Sequence, residues 1–248
     1  MIFIDAREGL SGDMVLASMI GLLDKPLLND VSNRIGRVAS ENGLDFHLVE
    51  ILDRGESGLG VTCIEKVAAS TQTSHSDAFS RLDNMRNHLG SKDRTSLRIL
   101  ELIFEAESEA HGLPPQEVHL HEIGRPQALL NIAGIGLVHS LLVEAGCGEF
   151  VSSTITTGKG IVVIGHGAVR VPAPATRLLL RGLEHLQGDD PGERATPTGI
   201  AAVKALIRSQ TDEFPEEFVK KSIGFGTKRF GGRLGRTTLL WTGTNRIQ

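Results

Sequence analysis

The stretch Ile2-Phe3-Ile4-Asp5-Ala6-Arg7-Glu8-Gly9-Leu10-Ser11-Gly12-Asp13-Met14 decides the fold class of this chain. Ile2–Asp5 reads as a short buried strand that ends in an acid. Ser11-Gly12-Asp13 then opens an apolar helix from Met14 to Leu23, with Ser11 as N-cap and Asp13 in the first turn, where a carboxylate suits the helix dipole. A strand feeding a capped helix belongs to a mixed α/β architecture. Asp5 at the strand end and Asp13 at the helix start are placed to face one crevice, the usual ligand position in such folds. Their functional reading is divalent-cation or substrate binding. The structural alternative is a turn-stabilising Asp5 and a dipole-pairing Asp13. Ser11 and Gly12 can offer backbone N–H groups to a phosphate, as many ordinary helix caps also can.

Outward from this unit the pattern predicts an α+β (mixed α/β) fold, with small sheets packed against helices in one or two subdomains. A second helix is expected from Pro26 to Ser40, with proline at its first position. Asp45–Leu52 and Leu59–Ala68 read as strands joined by a glycine-bearing turn, and Ser70–Ser76 as a polar loop. Leu97–His111 is the clearest helix. Ile99, Leu100, Ile103, Ala106 and Ala110 line one face, and Glu101, Glu105, Glu107 and Glu109 read as solvated. Another helix spans Pro126–Ala145. Strands follow near Phe150–Thr156 and Gly160–Ile164, then short helices after Pro174 and Pro197, and strands at Val219–Phe225 and Thr237–Thr242. The organisation is 1–70 as an N-terminal α/β segment, 71–92 as a polar loop and helix, and 93–248 as a second α/β segment.

The chemistry concentrates in Val118-His119-Leu120-His121-Glu122-Ile123-Gly124. Extended backbone would put His119 and His121 on one face and Leu120 on the other. Paired imidazoles suit zinc, nickel or copper. Glu122 can swing toward them where Gly124 lets the chain turn. The plainer alternative is one surface histidine and one hydrogen-bonded histidine flanking a buried leucine. A zinc hydrolase is a weaker reading, because no third histidine stands at ligand spacing.

Composition excludes several classes. A net charge of −4 argues against general nucleic-acid binding. Tyrosine is absent and aromatics are 4%, so Leu, Ile, Val and Ala must build the core. Cys63 and Cys147 have no paired spacing and read as small buried residues in a reducing compartment. The N-terminus lacks a signal-peptide pattern, and the expectation is that no apolar run approaches the length needed to span a bilayer. Cytoplasmic location, homo-oligomerisation and no membrane partner are the expectations.

Three further groups bear on binding. His166 lies between two glycines and is accessible. Thr176 and Thr198 follow Pro174 and Pro197 and can contact a phosphate or simply cap helices. The segment from Lys220 to Arg236 carries Lys228 and Arg229 among six basic residues and no acid. It suits a mononucleotide phosphate, or else it is an exposed hairpin whose lysines protect its edge.

Taken in order, Asp5, Gly9-Leu10-Ser11-Gly12-Asp13-Met14, His119-Leu120-His121-Glu122-Ile123-Gly124, His166-Gly167, Val171-Pro172-Ala173-Pro174-Ala175-Thr176, Thr196-Pro197-Thr198-Gly199 and Ile223-Gly224-Phe225-Gly226 resemble one family. It is the nickel-insertion family of nickel-pincer nucleotide cofactor synthesis (the LarC family). The resemblance implies nickel binding or delivery, for insertion into pyridinium-3,5-bisthiocarboxylic acid mononucleotide. It implies His119, His121, Glu122, Asp5 and Asp13 toward metal, and Ser11, Gly12, His166, Thr176, Thr198, Lys228 and Arg229 toward the nucleotide. It covers the N-terminal half of the family. CTP and Mg2+ or Mn2+ are therefore expected only with a C-terminal half, on a separate chain if at all, and whether this chain is itself an enzyme stays open. The chain departs from the family pattern at Gln127 and Asn131, where two acids are expected. A non-catalytic metal- or nucleotide-binding homologue is the alternative.

Overall fold

The computed structural model describes residues 1–66, 72–121, 123–164 and 167–243. The chain begins with β1 (Ile2–Asp5), α1 (Gly12–Ile20), α2 (Lys25–Glu41), β2 (Leu44–Asp53) and β3 (Glu56–Glu65). Next come β4 (Thr73–Ser74), α3 (His75–Leu89), α4 (Thr95–His111), β5 (His119–Leu120) and α5 (Pro126–Glu144). The last third holds β6 (Phe150–Ser152), β7 (Ile155–Lys159), β8 (Ile161–Ile164), β9 (Gly167–Arg170), α6 (Pro174–Leu179), β10 (His185–Pro191), α7 (Pro197–Leu206), β11 (Ser209–Gln210), β12 (Lys220–Phe230) and β13 (Arg233–Trp241).

The fold is α+β. Its main sheet has seven strands in the order β11-β6-β1-β13-β12-β3-β2, and three two-stranded ribbons surround it. β1 runs parallel to β6 and antiparallel to β13, while β12 pairs parallel with β3 through Gly224 and Phe225. One sheet therefore interleaves strands from the first 65 residues with strands from 150–241. The 71–92 stretch supplies β4 and α3, and the expected loop at Ser70–Ser76 falls partly outside the described residues. From Ser74 onward it is ordered by a cap, the Ser74 hydroxyl accepting from the Asp77 backbone N–H.

Helix α1 lies on β12 and β13 on one side and against α5 on the other. This explains why it is apolar nearly all round: every residue except Asp13 is buried. Gly224 makes the close approach possible, since a Cβ there would lie 1.9 Å from the Met14 carbonyl oxygen. The glycine-rich segment Ile223-Gly224-Phe225-Gly226 is thus a seat for α1. The expectation that no apolar run could span a bilayer needs correcting for α5, which is long and apolar enough by length and composition. In the fold it packs against α1, α3 and α4, with Leu129, Leu130, Ile132, Ala133, Ile135 and Val138 buried, as expected of a core helix.

Neither cysteine is in a disulfide; Cys147 is buried as the sequence suggests, whereas Cys63 on β3 is only partly buried. Burial, reinforced by the negative charge of Asp13, pushes the Cys63 thiol up to about 12.

Candidate metal and nucleotide cleft

The cleft is assembled by stitching together segments far apart in sequence. Leu10 N–H donates to the Arg194 carbonyl at 3.0 Å, and Thr196 N–H donates back to the Leu10 carbonyl at 2.8 Å. This lays the start of α7 along the start of α1. Gly199 is required for the contact, since a Cβ there would meet the Leu10 carbonyl oxygen at 2.6 Å. The Thr196 hydroxyl caps α7 by accepting from Gly199 N–H at 3.3 Å. Ser11, the expected α1 cap, does not cap it; its hydroxyl donates instead to the Asp13 carboxylate.

The resulting cleft encloses about 260 Å³. Ser11, Gly12 and Asp13 form one wall, and Gln127, Ala128 and Asn131 of α5 form another. His119, Leu120, His121 and Ile123 line a further side, and Thr176 and Thr198 come from the starts of α6 and α7. The HxH segment is extended over His119–Leu120, and His121 stands at a bend just past the strand. β5 pairs with β4 through Thr73↔Leu120 and Ser74↔His119, Leu120 is buried, and His119 is exposed. His121 Nε2 lies 3.1 Å from the Gln72 amide nitrogen. The Thr73 hydroxyl donates to the Gly124 carbonyl at 3.0 Å and anchors the end of the segment.

Other expected residues lie elsewhere. Asp5 does not line this cleft, because the Arg7 guanidinium occupies both of its oxygens, with Nε to Oδ1 at 2.7 Å and Nη2 to Oδ2 at 3.0 Å. That hydrogen bond raises the Arg7 pKa above the ordinary arginine value. Lys228 and Arg229 are exposed on β12 and do not line the cleft either. Arg229 pairs with Asp53 at 3.0 Å, and the Leu234 N–H and Arg229 together hold the Asp53 carboxyl below the usual carboxylate range. Lys220, Lys221 and Arg236 likewise face Asp24, Glu56 and Glu8, so acids from other elements neutralise much of the basic tail. Glu122 and His166 lie outside the described residues.

Sequence reasoning missed two cleft residues, Glu107 and Glu193. Glu107 had been counted with a solvated face. It follows Leu100 by seven residues and Ile103 by four, which puts it in the buried row of α4, and its side chain is only 18% exposed, 3.5 Å from His111. That periodicity was the available signal. Glu193 had none, because its position depends on the pairing of Arg194 with Leu10. Among the described residues no three His, Cys, Asp or Glu side chains gather as a ready metal-ligand set. Three residues of the cleft lining carry buried oxygens with no hydrogen-bond partner among the described residues: Gln127 Oε1, Asn131 Oδ1 and Thr176 Oγ1.

A family model described as nickel insertion protein matches residues 2–241. The chain is 31% identical to the pyridinium-3,5-bisthiocarboxylic acid mononucleotide nickel insertion protein of Staphylococcus epidermidis, over 91% of this chain and 54% of that protein. The protein of the same name from Staphylococcus saprophyticus is 31% identical, over 92% and 56% of the two chains, and the one from Thermotoga petrophila 29%, over 91% and 56%. The chain thus spans little more than half the length of these relatives. No solved structure matches it. Agreement over almost every described element, with the HxH segment and both proline-threonine helix starts meeting at one cleft, places the chain in the nickel insertion protein family.

Proposed function

We propose that this chain holds nickel and presents it for insertion into pyridinium-3,5-bisthiocarboxylic acid mononucleotide. The observation that carries the reading is that His119, His121, Asp13 and Glu107 all line one cleft of about 260 Å³, although among the described residues they do not form a ready ligand cluster. Neutral imidazole nitrogens with a nearby carboxylate suit a borderline dication such as Ni2+. Such a set binds less firmly than thiolates, and delivery requires that. Nickel passes downhill from nitrogen and oxygen donors to the softer thiocarboxylate sulfurs of the acceptor. Asp13 contributes negative charge at the cleft. Glu122 is a further candidate ligand by its place in the HxHE motif. Ser11, Gly12, Thr176, Thr198 and His166 are the candidates for the nucleotide end.

The CTP- and Mg2+- or Mn2+-dependent part of the chemistry falls, in this reading, to the half of the family that this chain does not match, whether on the same or a separate polypeptide. A second reading, a binding homologue without catalysis, is favoured by Gln127 and Asn131, which put amides on the cleft where the family resemblance implies acids. The test is calorimetric titration with Ni2+. A His119→Ala, His121→Ala double variant should bind at least tenfold more weakly, a loss of about 1.4 kcal/mol or more. Equal affinity in variant and parent removes the imidazole assignment.

A further inference from the structure

We infer that the floor of this cleft is a second cation site, lined by oxygen and suited to a hard dication of the Mg2+ or Mn2+ class, separate from the imidazole pair. Three observations lead there. Gln127 Oε1, Asn131 Oδ1 and Thr176 Oγ1 are shielded from solvent and have no hydrogen-bond partner among the described residues, and all three residues line the cleft. Thr176 is fully buried, at 0% exposure. A buried polar atom left unpaired costs roughly 1–3 kcal/mol, so three on one cleft indicate a place built for an occupant.

The second observation is the position of the amides. Gln127 and Asn131 are four residues apart on α5, which places them one above the other on the same helix face. The third is charge. Asp13, Glu107 and Glu193 line the cleft, and no lysine or arginine does among the described residues. Such a lining attracts a cation and opposes a bare phosphate.

Amide and hydroxyl oxygens beside a carboxylate are the donor set of hard dications, which also keep several waters. Asp13 supplies the carboxylate. Because most of the donors are neutral, the expected affinity is modest, at about 0.1–1 mM. The site stands whatever metal the imidazoles take. Only its use rests on the proposed function: a dication here would be the countercharge that lets a mononucleotide phosphate enter an acid-lined cleft.

The experiment is titration of the whole chain with Mn2+ alone, followed by the electron paramagnetic resonance of free Mn2+. Parent protein should bind one ion. Asn131→Leu and Thr176→Val should each weaken binding at least tenfold, the His119→Ala, His121→Ala variant should change it less than twofold, and Asn131→Asp should strengthen it. The apolar variants remove an unpaired polar group and so should keep or raise the melting temperature. If one of them fails to fold, Asn131→Asp still decides, since unchanged Mn2+ affinity there overturns the site. The inference is also overturned by no Mn2+ binding at about ten times the expected dissociation constant, by binding that vanishes with the histidines, or by inorganic phosphate alone stabilising the protein as well as Mn2+ does. Nickel affinity, read separately on the histidine variant, reports on the proposed function and not on this site.

Discussion

Replacing Gly224 by alanine tests how the cleft is positioned. A Cβ built at Gly224 lies 1.9 Å from the Met14 carbonyl oxygen and 2.8 Å from the Ser18 amide nitrogen. Ordinary contact distances are near 3.5 Å, and both neighbours are backbone atoms of α1, so no side-chain rotation relieves the clash. Helix α1 must shift from β12 by on the order of 1.5 Å. Overpacking of this kind costs typically 1–3 kcal/mol, and the rigid partner puts Gly224→Ala at the upper end, about 3 kcal/mol. For a domain of this size that lowers the melting temperature by about 6–12 °C. Because α1 carries Ser11, Gly12 and Asp13 into the cleft, metal affinity should fall with stability. Gly36→Ala serves as the contrast. Gly36 lies inside α2 with nothing within 4 Å of its would-be Cβ, so alanine should add up to about 1 kcal/mol through helix propensity. Scanning calorimetry should therefore show shifts of opposite sign. A Gly224→Ala melting temperature within about 2 °C of the parent refutes the seating of α1 on this strand.

Further expectations follow from the same contacts. Gln127→Asp with Asn131→Asp should raise Ni2+ or Mn2+ affinity at least tenfold by calorimetry, about 1.4 kcal/mol; no gain would mean that this face of α5 is not part of a metal site. Cys63, with its thiol held near 12 by burial and by Asp13, should react with a thiol reagent at pH 8 about a hundredfold more slowly than a free cysteine until the protein unfolds. A native Cys63 that reacts at the free rate would contradict its packing. Burial raises the Asp93 carboxyl, but hydrogen bonds from His139 and Thr95 and the charge of His139 outweigh it and hold it down at about 2. The stabilisation is therefore present above the unfolded carboxyl value and lost as pH falls through about 2. Asp93→Asn should cost roughly 1 kcal/mol near neutrality, allowing for solvent screening of a partly exposed pair, and the difference from the parent should vanish by pH 2. A difference that persists in acid would assign the loss to packing.

Much of the fold was legible because local pattern and tertiary role agree. Ile2-Phe3-Ile4 and α1, apart from Asp13, are apolar and buried on every side, and α5 buries Leu129, Leu130, Ile132, Ala133, Ile135 and Val138 while Gln127 and Asn131 line the cleft and Val143 is exposed. Asp45–Leu52 and Leu59–Ala68 read as strands joined by a turn, and β2 and β3 pair as an antiparallel hairpin, with positions 67 and 68 outside the described residues. What was illegible depends on pairing. β10, His-Leu-Gln-Gly-Asp-Asp-Pro, is polar and largely exposed, and it is a strand because β7 runs parallel beside it. β9 and β11 are four and two residues long and acquire their form from β8 and β6. The tail from Lys220 to Arg236 reads in sequence as either a phosphate binder or an exposed hairpin, because the acids that pair with it, Asp24, Asp53, Glu56 and Glu8, are distant in sequence. The cleft was legible to a similar extent. His119, His121, Asp13, Ser11, Gly12, Thr176 and Thr198 were picked out individually and meet in space, but Asp5 was already held by Arg7, two residues away.

The amides at Gln127 and Asn131 change what the cleft asks of its ligands without closing it. A carboxylate at each position would add two negative charges to a wall that already carries Asp13, Glu107 and Glu193. Five acids in so small a volume repel one another until a cation arrives, which makes binding tight and release slow. Amides keep the oxygen donors in place and remove the repulsion, so the empty protein tolerates the site and a bound dication leaves more readily.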